Sequence, residues 1–478
     1  HFAVQTTPVI QQYLDIKANN QDSLLFFRMG DFYGLFFSDA EIASDALDII
    51  LTKRGQHMGK DIPMCGVPFH SAEGYIKKLL DNNIKVAICE QLETPKEAKK
   101  RGYKEIVKRE VVRIITPGTK LEESFLVQKE NNILMALFSF DNVWTACWID
   151  ISTGLFKSTT TDESQLLSMI DQISPNEIIA HKNNQELNIL KLAFSLEITW
   201  LETKKRFSRY EFFDLLSPFF DPNHLKELGI GQLGPISLIV EYLQRNKNVF
   251  LEHYDMPEQI KLSNIMTIDP STRKNLEINT SLDGEKNHSL LGVIDKTCSL
   301  LGSRLLKRRL NGPSTQTEQI VKWQEKISEF YNDHDITEEV RSLISEFPDT
   351  ERALSRLIRL GPTPKDLYAL KVGMNLFFLL KEKVEFLDKN NISLEKNTEG
   401  GLKNILNELD SAIKEEPPFT IKEGGFIKES FNKELQKIKL MEKEATTDLL
   451  KLQRKYSQET GIKSLKLKYN NVLGYFFE

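Results

Sequence analysis

Close cysteine pairs are missing from this chain of 478 residues. Its four cysteines, Cys65, Cys89, Cys147 and Cys298, are scattered without a CxxC motif. That excludes a disulfide scaffold and points to small buried thiols in a reducing, cytoplasmic setting. A zinc site from Cys65, His57 and His70 matches no zinc-ligand spacing. No apolar run reaches the roughly 18 residues a membrane helix needs, so no membrane role is expected. The N-terminus, His1-Phe2-Ala3-Val4-Gln5, has no initiator Met and no basic n-region, so no secretory signal is expected in it. The last residues, Gly474 to Glu478, stop in what reads as mid-strand, and a fragment is expected. Neither internal repeats nor low-complexity tracts occur. Positive charge is not in excess either, and a net charge of −5 argues against a nucleic-acid binder at the level of the whole chain.

What is present is ordinary globular material, with 40% apolar and 27% charged residues. At about 150 residues per domain the length suits about three domains. Charge is uneven. Between Lys96 and Arg113 eight basic residues (Lys96, Lys99, Lys100, Arg101, Lys104, Lys108, Arg109, Arg113) face three acidic ones, Glu97, Glu105 and Glu110. The local excess of five suits either a phosphate-binding patch or a solvated helix face.

The first 120 residues mix helix and strand. Thr7-Pro8 starts a helix, with Thr at the N-cap and Pro at N1. Leu24-Leu25-Phe26-Phe27 predicts a buried strand, and Gly30-Asp31 a turn. Residues 32–51 predict a helix ending in Lys53-Arg54-Gly55. Strands are expected at 85–89 and 111–115, and the turn Thr116-Pro117-Gly118-Thr119 closes the segment. Residues 121–245 again alternate: a hairpin at 133–151 around Asp141-Asn142, a helix at 164–173 and a strand at 177–180. From about 260 helices dominate. From Phe431, the series Leu435, Ile438, Ala445, Leu449, Leu452, Tyr456 steps by fours and threes, a heptad seam broken at Glu442 that predicts a long helix paired with another. Gly461 ends it, and Leu465, Leu467, Tyr469 then alternate with Lys466 and Lys468. That strand has one apolar and one basic face, which suits either an edge protected from aggregation or a phosphate-contacting surface.

Several motifs are recognisable together. Phe27-Arg28-Met29-Gly30-Asp31-Phe32-Tyr33 resembles the mismatch-reading segment of the bacterial MutS family. Leu51-Thr52-Lys53-Arg54-Gly55, Ile62-Pro63-Met64-Cys65-Gly66-Val67-Pro68-Phe69-His70, Val86-Ala87-Ile88-Cys89-Glu90-Gln91 and Arg113-Ile114-Ile115-Thr116-Pro117-Gly118-Thr119 continue the resemblance. Thr272-Arg273-Lys274-Asn275-Leu276-Glu277, Gly302-Ser303-Arg304-Leu305-Leu306 and Asp349-Thr350-Glu351-Arg352 are similar to the family's core, and Tyr469-Asn470-Asn471-Val472-Leu473-Gly474-Tyr475 to its clamp. The resemblance implies a multidomain α/β plus all-α architecture. It would hold a mixed α/β mismatch-binding domain (1–120), an α/β connector (121–245), a helical core (246–430), a lever helix (431–460) and the start of a β clamp (461–478). It also implies duplex DNA with mismatches or small loops as ligand, a homodimer and a MutL-type repair partner for the full-length family. ATP and Mg²⁺ would belong to a C-terminal ATPase domain missing from this chain. The sequence Gly55-Gln56-His57-Met58-Gly59-Lys60-Asp61 only approximates a P-loop, with too few residues between its glycines and Asp where Ser or Thr would hold Mg²⁺.

The same resemblance assigns DNA contact to Phe32, Gly34, Met29, Asp31, Arg54, Pro68, His70, Lys108, Arg109, Arg113, Lys466 and Lys468. Phe32 is the implied wedge, which unstacks a weakened base step from the minor groove. Spacing alone would place it with the core aromatics Phe26, Phe27, Phe36 and Phe37. In the family the wedge motif reads Phe-x-Glu, the Glu bonding the unpaired base, whereas Gly34 stands here without a side chain. A paralogue used outside repair therefore stays open. So does a nuclease using Asp150, Asp162, Asp171 and Glu177, which would need converging carboxylates.

Overall fold

The computed structural model describes residues 7–102, 105–182, 198–202, 208–247, 254–384, 395–470 and 474–478. The expectations for Lys104, Asn471, Val472 and Leu473 fall outside them. The chain divides into two compact units, His1–Gly361 and Pro362–Glu478.

In the first unit six strands form one sheet: β1 (Leu24–Met29), β2 (Phe32–Phe36), β3 (Thr52–His57), β4 (Lys60–Pro68), β5 (Val86–Gln91) and β6 (Arg109–Ile115), in the order β3-β4-β2-β1-β5-β6. Only β1 and β5 run parallel. The run Leu24-Leu25-Phe26-Phe27 is buried on both faces. Leu24 and Phe26 pack with the helices Phe37–Leu47 and Ala72–Asp81, while Leu25 and Phe27 pack with the helix Pro8–Ala18. Alternate residues of a strand point to opposite faces, so a continuous apolar run marks a covered strand.

The helix expected over 32–51 is corrected. Phe32–Phe36 is a strand, and the helix begins only at Phe37, at φ 55°. The cause is the two-residue turn Gly30-Asp31, where Met29 pairs with Phe32 and Gly30 takes φ 64°. Such a turn favours glycine at its first position and returns the chain as a strand. Gly34 therefore lies in a sheet, not at a helix start, and the helical cost of glycine does not apply. Lys53-Arg54-Gly55 is strand β3, not a helix end. Thr7 stands at the N-cap as expected, but its side chain makes no capping bond.

A second sheet holds β7 (Leu134–Phe140), β8 (Val143–Asp150), β9 (Leu155–Thr161), β10 (Glu177–His181), β11 (Ile198–Leu201) and β12 (Glu258–Gln259), ordered β11-β10-β7-β8-β9-β12. Asp141 and Asn142 both take positive φ, 52° and 62°, as a tight β7–β8 hairpin demands. The helix Glu163–Ile173 covers one face and Ile230–Arg245 the other. The turn at 116–119 joins the sheets. Thr116 Oγ1 and the Gly118 N–H donate to Glu177 Oε2 at 2.5 and 3.0 Å. A Cβ on Gly118 would lie 2.8 Å from that of Glu177, so only glycine allows the approach.

Helices follow, among them Leu300–Asn311 and Thr350–Arg359. Arg304 on the first bonds Asp349 at 2.7 and 2.8 Å, and Arg352 donates to the Val127 and Glu130 carbonyls at 3.2 and 2.6 Å. These contacts fasten the helices to the turn at 127–130 that precedes the second sheet.

The second unit contains the helices Pro364–Val384, Lys396–Ala412 and Lys433–Thr460, and the hairpin β13 (Leu467–Asn470) with β14 (Gly474–Phe477). Asn432 caps the 28-residue helix through its side chain, and Gly461 ends it at φ 72°. Phe431 precedes it, in a short 3₁₀ turn. No residue of this helix is buried, and Ile438 and Leu452 are 56% and 40% exposed. The long helix predicted from the heptads is present, but its apolar series stays largely exposed and among the described residues no other helix buries it, so the expected helix pair is corrected.

Candidate nucleic-acid interface

Phe32 stands at the tip of the β1–β2 hairpin, and it differs from the other phenylalanines of that hairpin, although the adjacent Phe69 is also exposed, at 46%. Phe32 is 52% exposed, while Phe26, Phe27 and Phe36 are 0% exposed. The hairpin places it beyond the helices that cover those rings. The core alternative raised by its spacing is corrected by that exposure.

Around Phe32 the sheet registers bring other expected residues together. Pro68 lies opposite Phe32, and Gly66 opposite Gly34. Met29, Phe32, Gly34, Arg54 and Arg109 line one depression of about 400 Å³, which Gly30, Met64 and Gly66 complete. Arg54 reaches it from a β-bulge between Lys53 and Gln56, with Gly55 at φ 72°. Bulges re-aim side chains in this way. Asp31 is exposed in the turn, and its carbonyl accepts from Phe69 N–H at 2.8 Å. His70 is exposed in the following 3₁₀ turn.

The basic run behaves less uniformly than its charge count suggests. Lys96, Lys99, Lys100 and Lys108 are exposed. Arg101 is held by Glu93 and Glu105, and Arg113 by Glu122 at 2.6 Å. Arg109 turns inward. Its Nε donates to the Arg28 carbonyl at 2.7 Å, its Nη1 to Gln12 Oε1 at 2.9 Å, and it lies over the Phe27 ring. Burial pulls its pKa down from the ordinary value. Arg109 thus braces the hairpin and contributes to the depression, whereas Arg113 lies away from it.

Sequence reasoning missed a bracing cluster. Glu90 accepts from the Tyr33 hydroxyl and pairs with Arg28 at 3.5 Å, and the Arg28 guanidinium lies 3.4 Å above the Phe69 ring. Burial, reinforced by the bond to Glu90, pushes the Tyr33 phenol above its usual range. The residues were visible in the quoted motifs, but nothing in a sequence shows that Arg28 and Glu90 meet.

In the second unit Lys466 and Lys468 are both exposed on or beside β13. The Lys468 ammonium pairs with the Glu478 carboxylate.

The carboxylates weighed for a nuclease do not converge. Asn131 and Ser152 donate to Asp150, Asp162 caps the helix Glu163–Ile173, Asp171 pairs with Arg273 at 2.8 Å, and Glu177 holds the turn at 116–119. Among the described residues no group of three potential ligands could hold a metal. Cys65, considered with His57 and His70, is buried and its thiol donates to the Ala40 carbonyl. Residues 55–61 form the β3–β4 hairpin with Met58-Gly59 as its turn, and Lys53 pairs with Asp61 at 2.9 Å. Without a helix to follow it, this segment does not fit a nucleotide phosphate. Among the described residues no helix is long and apolar enough to cross a membrane.

Two family models match, MutS domain I over residues 7–124 and MutS domain III over residues 271–464. The chain belongs to the MutS family. Proteins named "DNA mismatch repair protein MutS" from Wolbachia pipientis wMel, Rhizobium meliloti (strain 1021) and Ruegeria sp. (strain TM1040) are 38%, 39% and 38% identical to it. Each alignment covers 99% of this chain but only 60%, 53% and 55% of the relative. The chain therefore spans little more than half the length of these MutS relatives. The domain I match contains the whole first sheet, with Phe32 and the depression beside it.

Proposed function

We propose that this MutS-family chain recognises mismatched or unpaired bases in duplex DNA by inserting Phe32 at a weakened base step and bending the duplex. The observation that carries this is the exposure of Phe32 at the tip of a hairpin whose other phenylalanines are buried. A mismatch alters base-edge chemistry little but lowers the cost of unstacking, so an aromatic wedge reads it indirectly. Phosphate contacts from the exposed lysines Lys96, Lys99, Lys100, Lys108 and Lys466 would add sequence-independent, salt-sensitive affinity.

We assign the first sheet and its helices to mismatch binding, the second sheet to a connector, the helices after it to a core, Lys433–Thr460 to a lever and the β13–β14 hairpin to a clamp. Dimerisation, a MutL-type partner and ATP with Mg²⁺ are proposed for the whole protein only. Nucleotide chemistry is assigned to no residue described here.

Titrating the chain into labelled duplexes carrying one mismatch, one extra base or full pairing, at several salt concentrations, tests the proposal. Tighter binding to the imperfect duplexes, with affinity falling as salt rises, is expected. Equal affinity for all three would contradict it.

A further inference from the structure

The depression beside Phe32 has its own donor–acceptor character. It is lined by two guanidiniums, two thioethers, one exposed phenyl ring and three glycines, and among the described residues no carboxylate lines it. Gly34 and Gly66 stand directly opposite each other, between the Phe32/Pro68 and Phe36/Met64 pairs. A Cβ on Gly66 would meet nothing closer than the Tyr33 carbonyl at 3.9 Å. The face of the sheet is therefore open over Gly66, where a flat ring can approach, while over Gly34 the Met29 Sδ and the Phe36 ring lie 3.1 Å from where a Cβ would stand. The sulfurs of Met29 and Met64 offer a polarizable surface to such a ring. Its volume of about 400 Å³ lies within the roughly 300–1,000 Å³ of small-ligand pockets.

The polar groups are donors only. Arg54 is exposed and has no partner among the described residues. Arg109 has spent its Nε and Nη1 on the hairpin. An arginine fork matches the O6 and N7 acceptors of guanine, whereas adenine presents its N6 donor on the same edge. No side chain here could accept that donor.

We propose that this depression receives a guanine swung out of the duplex beside Phe32, its acceptor edge held by Arg54. The proposal rests on the assignment of Phe32 as wedge and adds a base preference to it. Gly34 is then more than a lost carboxylate: without an acceptor at this position the pocket favours bases that accept.

The test compares duplexes with one extra dG, one extra dA or one extra abasic site in identical flanks, bound by the full chain at fixed salt and read by fluorescence anisotropy. The extra dG is expected to bind about fivefold or more tightly than dA or the abasic site, as one good arginine–guanine pair gives. Arg54→Lys keeps the charge but loses the planar fork, and it should bring the dG/dA ratio to about one. Arg54→Gln should do the same, and melting curves confirm that both variants fold. If wild type binds the three bulged duplexes equally but still prefers them to paired DNA, the guanine pocket is overturned and the wedge stands. If bulged and paired duplexes bind alike, the wedge falls and the pocket with it. A uniform loss for every duplex in both Arg54 variants, at unchanged ratio, would make Arg54 a phosphate contact and would also overturn the proposal.

Discussion

Arg304 and Asp349 form a two-bond ion pair at 2.7 and 2.8 Å, with the arginine side chain only 1% exposed. Glu351 adds a third carboxylate bond at 2.9 Å, and the Gln128 carbonyl a fourth at 3.2 Å. Arg304 lies on the helix Leu300–Asn311, Asp349 caps the helix Thr350–Arg359, and the carbonyl belongs to the turn at 127–130 before the second sheet. The guanidinium is therefore a joint between parts of the chain distant in sequence.

Asp349→Ala should destabilise the first unit by about 3 kcal/mol, because it leaves a buried charge short of its partner. Chemical denaturation followed by circular dichroism measures it. A loss below about 1 kcal/mol would show that Glu351 and the Gln128 carbonyl satisfy Arg304 unaided.

The thiols give a second prediction. Burial pushes Cys65 up to about 11 and Cys89 up to about 12, and it raises Cys147 well above its ordinary value. Reaction needs the thiolate. At pH 8 these three stay protonated and covered in the folded chain. A disulfide-exchange reagent should modify the partly exposed Cys298 quickly and the other three only after denaturant is added. More than one fast thiol in the native protein would contradict this packing.

Gly34→Glu gives a third. A Cβ at this position would lie 3.1 Å from both Met29 Sδ and Phe36 Cε2, so Met29 must swing aside. The expected cost is about 1–3 kcal/mol of overpacking, read from the melting curve. The new carboxylate supplies an acceptor to the depression. It should move preference from an extra dG toward an extra dA and weaken binding to paired DNA. An unchanged dG/dA ratio in a folded variant would remove position 34 from base selection.

The sequence made some of these elements legible and hid others, for physical reasons. Strands β1, β5 and β6 and the β7–β8 hairpin announce themselves through short apolar runs and the Asp141-Asn142 turn, since both signals are local. Strand β2 was hidden. Its aromatic residues run straight into the helix from Phe37, and its strand identity comes from pairing with β4, where Gly34 meets Gly66 far along the chain. The basic run shows the same limit. Counting charges finds Arg101, Arg109 and Arg113 but not Glu93, Gln12 and Glu122, which hold them. The heptad seam predicted the helix Lys433–Thr460 well. It also predicted a partner helix, which no described helix supplies, because periodicity reports a face and not what covers it. Of the expected contacts, the motif around Phe32 was the most informative. It brought Met29, Phe32, Gly34 and Arg54 to one place, where spacing alone pointed Phe32 into the core.

Phe32→Ala tests the central claim most directly. The side chain is half exposed, so its removal should cost roughly 1 kcal/mol of stability, far less than the roughly 3–5 kcal/mol of a buried Phe. The measurement is competition between a duplex with a G·T mismatch or one extra base and its paired counterpart, at fixed salt, with a melting curve for each protein. The account predicts that Phe32→Ala stays folded, keeps its affinity for paired DNA and loses most of the preference for the imperfect duplex. A folded Phe32→Ala protein that still prefers the mismatch would contradict it.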